Sequence, residues 1–333
     1  MNDCPQFSII IPCYNAGQWI RNTIDSVLAQ TCADFEIIAV DDGSQDDTLI
    51  QLQSINDPRV IILNKENGGV SSARNMGLRK ANGRWVTFID ADDTVESYML
   101  EELQKAITRS PESSLFIWGI SKEFYLFDGR LVETETRLSS TNLCIPYHNL
   151  GLYMRYMLTS LDMESTCNKL FRRALVETHG IRFDEQAVVF EDFQFVIDYL
   201  SKCNPDISII KSALYHYRAN AGEPNVSRRS RYNLVGDIEI LIIKLFDFVK
   251  DRQIPQEDMV LVYRYIMQKV CVILSALKGH KKSVCVEVFN DLRISRLKEL
   301  RRFFPLVGRK YSFLLKLVMN RSFYLAWLLL KLI

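Results

Sequence analysis

Three carboxylates within four positions, Asp90-Ala91-Asp92-Asp93, close a run of strand-forming residues, Trp85-Val86-Thr87-Phe88-Ile89. Like charges at that spacing raise one another's pKa unless something positive sits among them. A divalent cation answers that need, because oxygen-rich sites suit Mg²⁺ or Mn²⁺ and those ions carry substrate phosphates with them. The competing reading is an acidic turn that caps the next helix through Asp93 or Thr94. A second acidic turn, Asp41-Asp42-Gly43-Ser44, also follows an apolar stretch and favours a ligand site.

Such turns act together only if the strands that carry them end at one place. Residues 1–120 alternate short apolar runs with helical patterns, which predicts a parallel sheet covered by helices. Phe7–Ile11 reads as a strand buried on both faces and ended by Pro12. Asn15 then caps a helix with Trp19, Ile20, Ile24, Val27 and Leu28 on one stripe. Phe35–Val40, Val60–Leu63, Trp85–Ile89 and Leu115–Ile120 are further strands, and a helix spanning Ser71–Ala81 follows Gly68-Gly69. Beyond them a hairpin turns at Asp128-Gly129, with helices expected over 150–158, 172–178 and 190–203 and a strand over 207–217. The polar stretch Ala219–Arg231 has a loop composition, so a boundary falls there and residues 221–333 form a helical region.

In parallel α/β sheets, ligands sit beyond the carboxyl ends of the strands. Strand one ends at Pro12-Cys13-Tyr14-Asn15, strand two at Asp41-Asp42 and strand four at Asp90-Ala91-Asp92, so all three open into one crevice. Tyr14 supplies an aromatic wall, Asp41 and Asp42 supply acceptors for a base N–H or ribose hydroxyls, and Asp90 and Asp92 supply a metal cage. Arg74 either counters these carboxylates, touches phosphate, or is a solvated helix residue. No glycine-rich phosphate cradle of the dinucleotide or P-loop kind occurs, so a nucleotide whose phosphates are held mainly by metal fits better.

Four ordered segments, Ser8–Asn15, Val40–Thr48, Asn67–Gly77 and Phe88–Asp93, resemble the motifs of the family 2 inverting glycosyltransferases, which have the GT-A fold. The resemblance covers residues 1–120 well, 160–220 moderately and the remainder hardly at all. It implies an α/β, Rossmann-like mixed sheet flanked by helices, with a catalytic domain over 1–220. Residues 1–120 would be its nucleotide-sugar half and 121–220 its acceptor half. Position by position, it implies that Pro12, Tyr14 and Asn15 line the nucleotide pocket and that Asp42, beside Asp41, reads the base. Asp90 and Ala91 then lie toward the ribose, Asp92 with Asp90 binds Mn²⁺ or Mg²⁺, and Arg74 belongs to the nucleotide site.

An inverting transfer needs a general base for the acceptor hydroxyl. The resemblance assigns that role to Asp192 of the pair Glu191-Asp192, with Glu191 positioning the acceptor or the base. On residues alone, two acids that complement a helix dipole are the favoured reading. The same comparison makes His216 a third metal ligand or a diphosphate contact, although a Tyr often stands at such positions. Lys169 lies in a segment, Asn168–Arg172, similar to one near the donor sugar, and Ala219–Arg231 is either a lid or a connector.

A net charge of +1 over 333 residues gives no general attraction for nucleic acid. Eight cysteines without metal-ligand spacing favour a reducing, cytoplasmic compartment. The first residues lack a secretory plan, and no transmembrane helix is expected. From Arg296 onward nine Lys and Arg face one acid, Glu299, and alternate with aromatic and aliphatic residues. That mixture describes a helix lying in an anionic membrane surface, which would place the protein at the inner face of the plasma membrane. Packing of the tail against the catalytic half is the alternative.

The combined reading is transfer of one sugar from a nucleotide-diphosphate sugar, UDP-linked, to a hydroxyl of a glycan or lipid-linked glycan in cell-surface polysaccharide synthesis. Three rivals stand beside it. A processive synthase would carry a Gln-x-x-Arg-Trp motif and membrane helices. A sugar-nucleotide pyrophosphorylase would open on a glycine-rich loop. A nucleotide-sugar-binding scaffold would keep the pocket and lack activity.

Overall fold

A computed structural model describes residues 4–126, 129–137, 139, 141–149, 165–187, 189–220, 234–250, 252, 256–276, 285–286, 288, 308–320 and 326. The chain divides into two compact units, residues 1–185 with 191–225 and residues 186–190 with 226–333. The expected helix over 150–158, most of the loop over 219–231 and most of the tail from 296 lie outside the described residues.

The first unit opens with β1 (Phe7–Cys13), α1 (Ile20–Leu28), β2 (Phe35–Asp41), α2 (Thr48–Gln53), β3 (Val60–Asn64), α3 (Val70–Lys80) and β4 (Trp85–Phe88). It continues through β5 (Thr94–Val95), α4 (Met99–Arg109), β6 (Leu115–Tyr125), β7 (Leu131–Arg137) and β8 (Leu143–Ile145). It closes with β9 (Lys169–Arg172), α5 (Arg173–Thr178), α6 (Glu191–Cys203) and β10 (Ile207–Asn220). Among the described residues of the second unit are three longer helices, α7 (Leu234–Lys250), α8 (Gln256–Ala276) and α9 (Gly308–Met319).

Ten strands make one mixed sheet in the order β3-β2-β1-β4-β9-β6-β10-β5, with β7 on β6 and β8 on β10. β1, β2, β3 and β4 run parallel, whereas β9 is antiparallel to both β4 and β6. Every residue of β1 and β2 is buried, as a strand covered on both faces requires. Phe7, Ile9 and Ile11 join one core with Ile20, Ile24 and Val27 of α1 and Met99, Leu100 and Leu103 of α4. Ile10 points the other way, toward α3, because side chains alternate along a strand. On the face away from α1 and α4, Phe88 meets Phe171, Phe183 and Phe195 edge-on, with ring centroids 5.1–6.3 Å apart.

Pro12 does not end β1 as expected but pairs with Val40 inside it. The Ile10 carbonyl accepts from Ile89 N on the β4 side and the Cys13 carbonyl from Asp42 N on the β2 side, so Pro12 falls in register with Ile10. Pairing to β4 stops at Ile10, and the proton Pro12 lacks is needed by no partner. The hairpin does form: β7 folds back on β6, and Gly129 has φ +80. β6 and β10 both outrun the sequence reading, the first to Tyr125 and the second to Asn220.

Gly77 lets α3 lie directly on β1. A Cβ added there would sit 2.4 Å from Ile10 Cγ2. Helix propensity alone favours Ala over Gly by about 1 kcal/mol. Overpacking works against it by about 1–3 kcal/mol. Gly77→Ala is expected to lower stability by up to about 2 kcal/mol in urea denaturation, the sign opposite to propensity.

Candidate active site

The crevice begins where β1, β2 and β4 stop. Cys13 is paired with Asp41, and Ile10 with Phe88, so residues 12–15, 41–44 and 89–93 follow one another along one rim. Asn15 clasps the first two turns together. Its N–H donates to Ser44 Oγ at 3.0 Å, and its Oδ1 accepts from Gln45 N at 2.8 Å. Asn15 takes φ 50 to do so, a conformation that Asn tolerates better than most residues. Tyr14 is exposed beside it.

Asp41 and Asp42 are both buried but differ in what they touch. Asp42 Oδ1 accepts from Lys65 Nζ at 2.6 Å and Gly68 N at 3.0 Å, while Oδ2 accepts from Gly69 N at 2.7 Å. Gly69, at φ 87, presents that N–H from a conformation that costs glycine little. The Asp42 carboxylate is thus engaged in holding the glycine pair at the start of α3. Asp41 has no such partners. Its Oδ1 is buried without a hydrogen bond, and Oδ2 receives only Ser44 N at 3.4 Å. Of the two, Asp41 keeps the unpartnered acceptor, while Asp42, which the family resemblance assigned to the base, has both oxygens engaged by protein.

Arg74 stands at the centre. It projects from α3 with 4 % of its side chain exposed. Nη2 donates to Asp90 Oδ1 at 2.9 Å and Nη1 to Asp192 Oδ1 at 2.7 Å, with Glu191 Oε1 3.8 Å away. Burial works against its charge, but Asp192 and Asp90 more than offset that and hold it protonated. Its guanidinium carbon lies 5.2 Å from the centre of the Phe183 ring, which stacks on Phe195. The next residue, Asn75, fixes Phe183 from both sides, accepting from Phe183 N and donating to Phe183 O, each at 2.9 Å.

Asp192 occupies the first turn of α6, entered through Phe190 at φ 63. Thr166 N donates to Asp192 Oδ2 at 3.4 Å. Lys169 is fully buried just beyond and ties Ser165 O and Asn168 Oδ1, which steadies that turn. Burial pushes the Asp192 carboxyl up, Arg74 pulls it back, and Glu191 and Asp90 push again, leaving it at about 7. A carboxylate poised near neutrality suits a general base.

The four-residue acidic turn divides its duties. Asp93 is buried and accepts from Tyr215 Oη and, at 2.7 Å, from Arg218 N, which binds the turn to β10. Tyr215 Oη in turn accepts from Asp90 N at 3.2 Å, and the Ala91 carbonyl accepts from Thr23 Oγ1 at 2.8 Å. Helix α4 begins only at Met99, so neither Asp93 nor Thr94 caps it. Asp92 is left exposed at the rim. Lost hydration in the crevice and the neighbouring Asp90 charge still push its carboxyl up to about 6.

His216 sits between two acids. Nδ1 lies 2.9 Å from Glu123 Oε1 and Nε2 lies 3.1 Å from Glu96 Oε1, so both ring nitrogens are engaged by protein. No three His, Cys, Asp or Glu side chains converge as a metal cage among the described residues. Asp90 and Asp92 are hard oxygen donors in an acid-rich turn. They fit a cation that takes one or two carboxylates and completes its shell with phosphate oxygens and water.

A family model described as "Glycosyl transferase family 2" matches residues 8–180. The chain belongs to glycosyl transferase family 2. Within that family, the uncharacterized glycosyltransferase EpsJ of Bacillus subtilis (strain 168) is 30% identical over 218 residues, covering 65% of this chain and 62% of its own. The chain thus spans less than two thirds of that relative. Glycosyltransferase GlyG of Streptococcus pneumoniae serotype 4 is 38% identical over 227 residues, covering 65% of this chain and 71% of its own. In fold, S. aureus TarS 1-349 in complex with UDP-GlcNAc superposes with a TM-score of 0.71 at 21% identity, over 98% of this chain and 90% of that one. The likeness establishes the GT-A architecture of this family 2 member.

Asn75, Phe183, Lys65, Tyr215 and Arg218 were not singled out from the sequence. Only the polar run Ser71-Ser72-Ala73-Arg74-Asn75 carried a signal: a helix start so polar is buried only when its side chains have work to do. The division between the paired acids gives a direct test. Asp42→Ala is expected to cost about 2–3 kcal/mol in chemical denaturation, because it removes three hydrogen bonds to a buried carboxylate that fasten Lys65 and the glycine pair. Asp41→Asn is expected to stay within about 1 kcal/mol of the parent, since its Oδ1 has no hydrogen bond to lose and Oδ2 receives only the long contact from Ser44 N.

Proposed function

We propose that the chain is an inverting glycosyltransferase that moves one sugar from a UDP-linked donor to a hydroxyl of a glycan or lipid-linked glycan in cell-surface polysaccharide synthesis. The observation that carries the proposal is the bridge from Asp90 through Arg74 to Asp192, which joins the strand-end acids to a base near neutrality. The UDP and UDP-GlcNAc complexes of S. aureus TarS support uracil as the base. Relatives described as a succinoglycan biosynthesis protein and a teichoic acid poly(glycerol phosphate) polymerase support a cell-surface product.

In this reading Tyr14 covers the nucleobase, Asp41 accepts its ring N–H, and Pro12, Asn15 and Ala91 line the pocket. Asp90 accepts from the ribose while Arg74 keeps its carboxylate in place. Asp92 with Asp90 would hold Mn²⁺ or Mg²⁺, which stabilises the charge developing on the departing diphosphate when bound. Asp192 takes the proton from the acceptor hydroxyl as that oxygen attacks the anomeric carbon from the face opposite the leaving group. Glu191, beside Arg74, raises the basicity of Asp192 and positions the acceptor or that base. His216, held by Glu96 and Glu123, braces the β5–β10 pairing beneath Asp93 and Asp92.

The proposal also places the chain at the inner face of a membrane through the basic and aromatic tail. Among its described residues, α9 buries Leu314, Leu315 and Val318 and exposes Phe313. No helix among the described residues is long and apolar enough to cross a membrane.

Asp192→Asn is expected to lower kcat by about 10²–10⁴, the range a general base contributes, with UDP affinity held within about threefold. Titration calorimetry and a coupled assay for UDP release measure the two. Undiminished turnover in that variant would remove Asp192 from the mechanism, and a parent that binds UDP-sugars without turnover would favour the scaffold.

A further inference from the structure

Arg218 follows Tyr217 on β10, and its backbone N–H is locked to Asp93 Oδ1 at 2.7 Å. Its guanidinium carbon lies 4.1 Å from the centre of the Trp19 ring and 3.9 Å from that of Tyr125. Trp19 comes from the entry to α1 and Tyr125 from the end of β6, so two elements of the crevice rim close on one cation. Among the described residues no carboxylate lies within ion-pair distance of Arg218. Its side chain donates no hydrogen bond there, and Nε is buried without a partner.

A half-buried guanidinium against aromatic faces without an anion is costly to leave so, because its Nε–H has lost water and gained no acceptor. Aromatic faces satisfy the charge from above and below but leave the edge of the fork open. That edge matches paired oxygens of a phosphate or diphosphate better than any single acceptor. The neighbourhood selects between anions. Its backbone N–H holds Asp93 Oδ1, so Arg218 stands beside the acid turn at the mouth of the strand-end crevice.

We infer that Arg218, clamped between Trp19 and Tyr125, is a diphosphate-binding residue that holds the leaving group across the crevice from the nucleoside. The inference rests on the nucleotide reading given above and adds to it a residue and a role. Lys could not substitute fully, since an ammonium carries the charge but not the flat fork that both rings and two oxygens require.

The test is calorimetric titration of uridine, UMP and UDP, in Mn²⁺ buffer, into the full chain and into Arg218→Met and Arg218→Lys. The parent is expected to bind UDP more tightly than uridine. Arg218→Met should lose about 10-fold to 100-fold in UDP affinity, the range of a hydrogen bond to a charged group, while uridine affinity holds within twofold. Arg218→Lys should recover only part of the loss. An equal loss for uridine and UDP would mean that Arg218 merely props the rim, and would overturn the inference. So would an unchanged UDP-over-uridine gain in Arg218→Met or, should that variant not fold, in Arg218→Lys. A parent that binds uridine and UDP alike, or neither, would instead remove the nucleotide-diphosphate reading and the inference with it.

Discussion

One buried cation organises the acid side of this molecule. Arg74 brings a full positive charge into the interior of the first unit, where a charge persists only if paired and hydrogen-bonded. Its partners, Asp90 and Asp192, come from the end of β4 and the first turn of α6, 16 and 118 residues away along the chain. Neither carboxylate could sit near Glu191 and Asp92 without it, since crowded acids repel or take up protons. The fork geometry of the guanidinium also fixes direction, because each terminal nitrogen faces a different acid. Placing α3 is therefore the same problem as assembling the site. Gly77 lets the helix lie on Ile10, Asp42 and Lys65 hold its glycine entry, and Asn75 fastens the loop that carries Phe183.

The remaining acids fall into two groups by what they touch. Asp42 and Asp93 are engaged in holding loops, the first through the Gly68-Gly69 amides and the second through Tyr215 and Arg218 N. Asp41 keeps an oxygen without a partner, and Asp92 stands exposed. Each acidic turn thus pairs one carboxylate that fixes its position with another that has few protein contacts.

The strands and their acidic ends were legible because β1, β2 and β4 read as uninterrupted apolar runs cut off by charge, a pattern that buried parallel strands produce. The family motifs lie on those same ends. The division between Asp41 and Asp42 was not legible, since neighbours along a chain point opposite ways and only the packed loop shows which way each turns. Arg74 stayed ambiguous in the sequence for the same reason: a helix residue becomes a clamp only when residues 90 and 192 arrive beside it. His216 read as a metal or phosphate contact from its place at the end of β10. Glu96 and Glu123, 120 and 93 residues away, meet both its nitrogens only in the folded sheet. Pro12 read as a strand terminator because the rule for central strands assumes pairing on both sides, and β4 has already stopped.

The most direct test of the Arg74 bridge is the pH dependence of kcat/KM in the parent and in Arg74→Met. In the parent, activity should rise about tenfold per unit below pH 7 and level off above it, since Asp192, with its carboxyl at about 7, must be deprotonated to act. Arg74 is the charge that pulls Asp192 down against burial, Glu191 and Asp90, so its removal should carry the rising limb to higher pH. A limb that stays where it was, or moves to lower pH, would contradict the bridge as the device that readies the base.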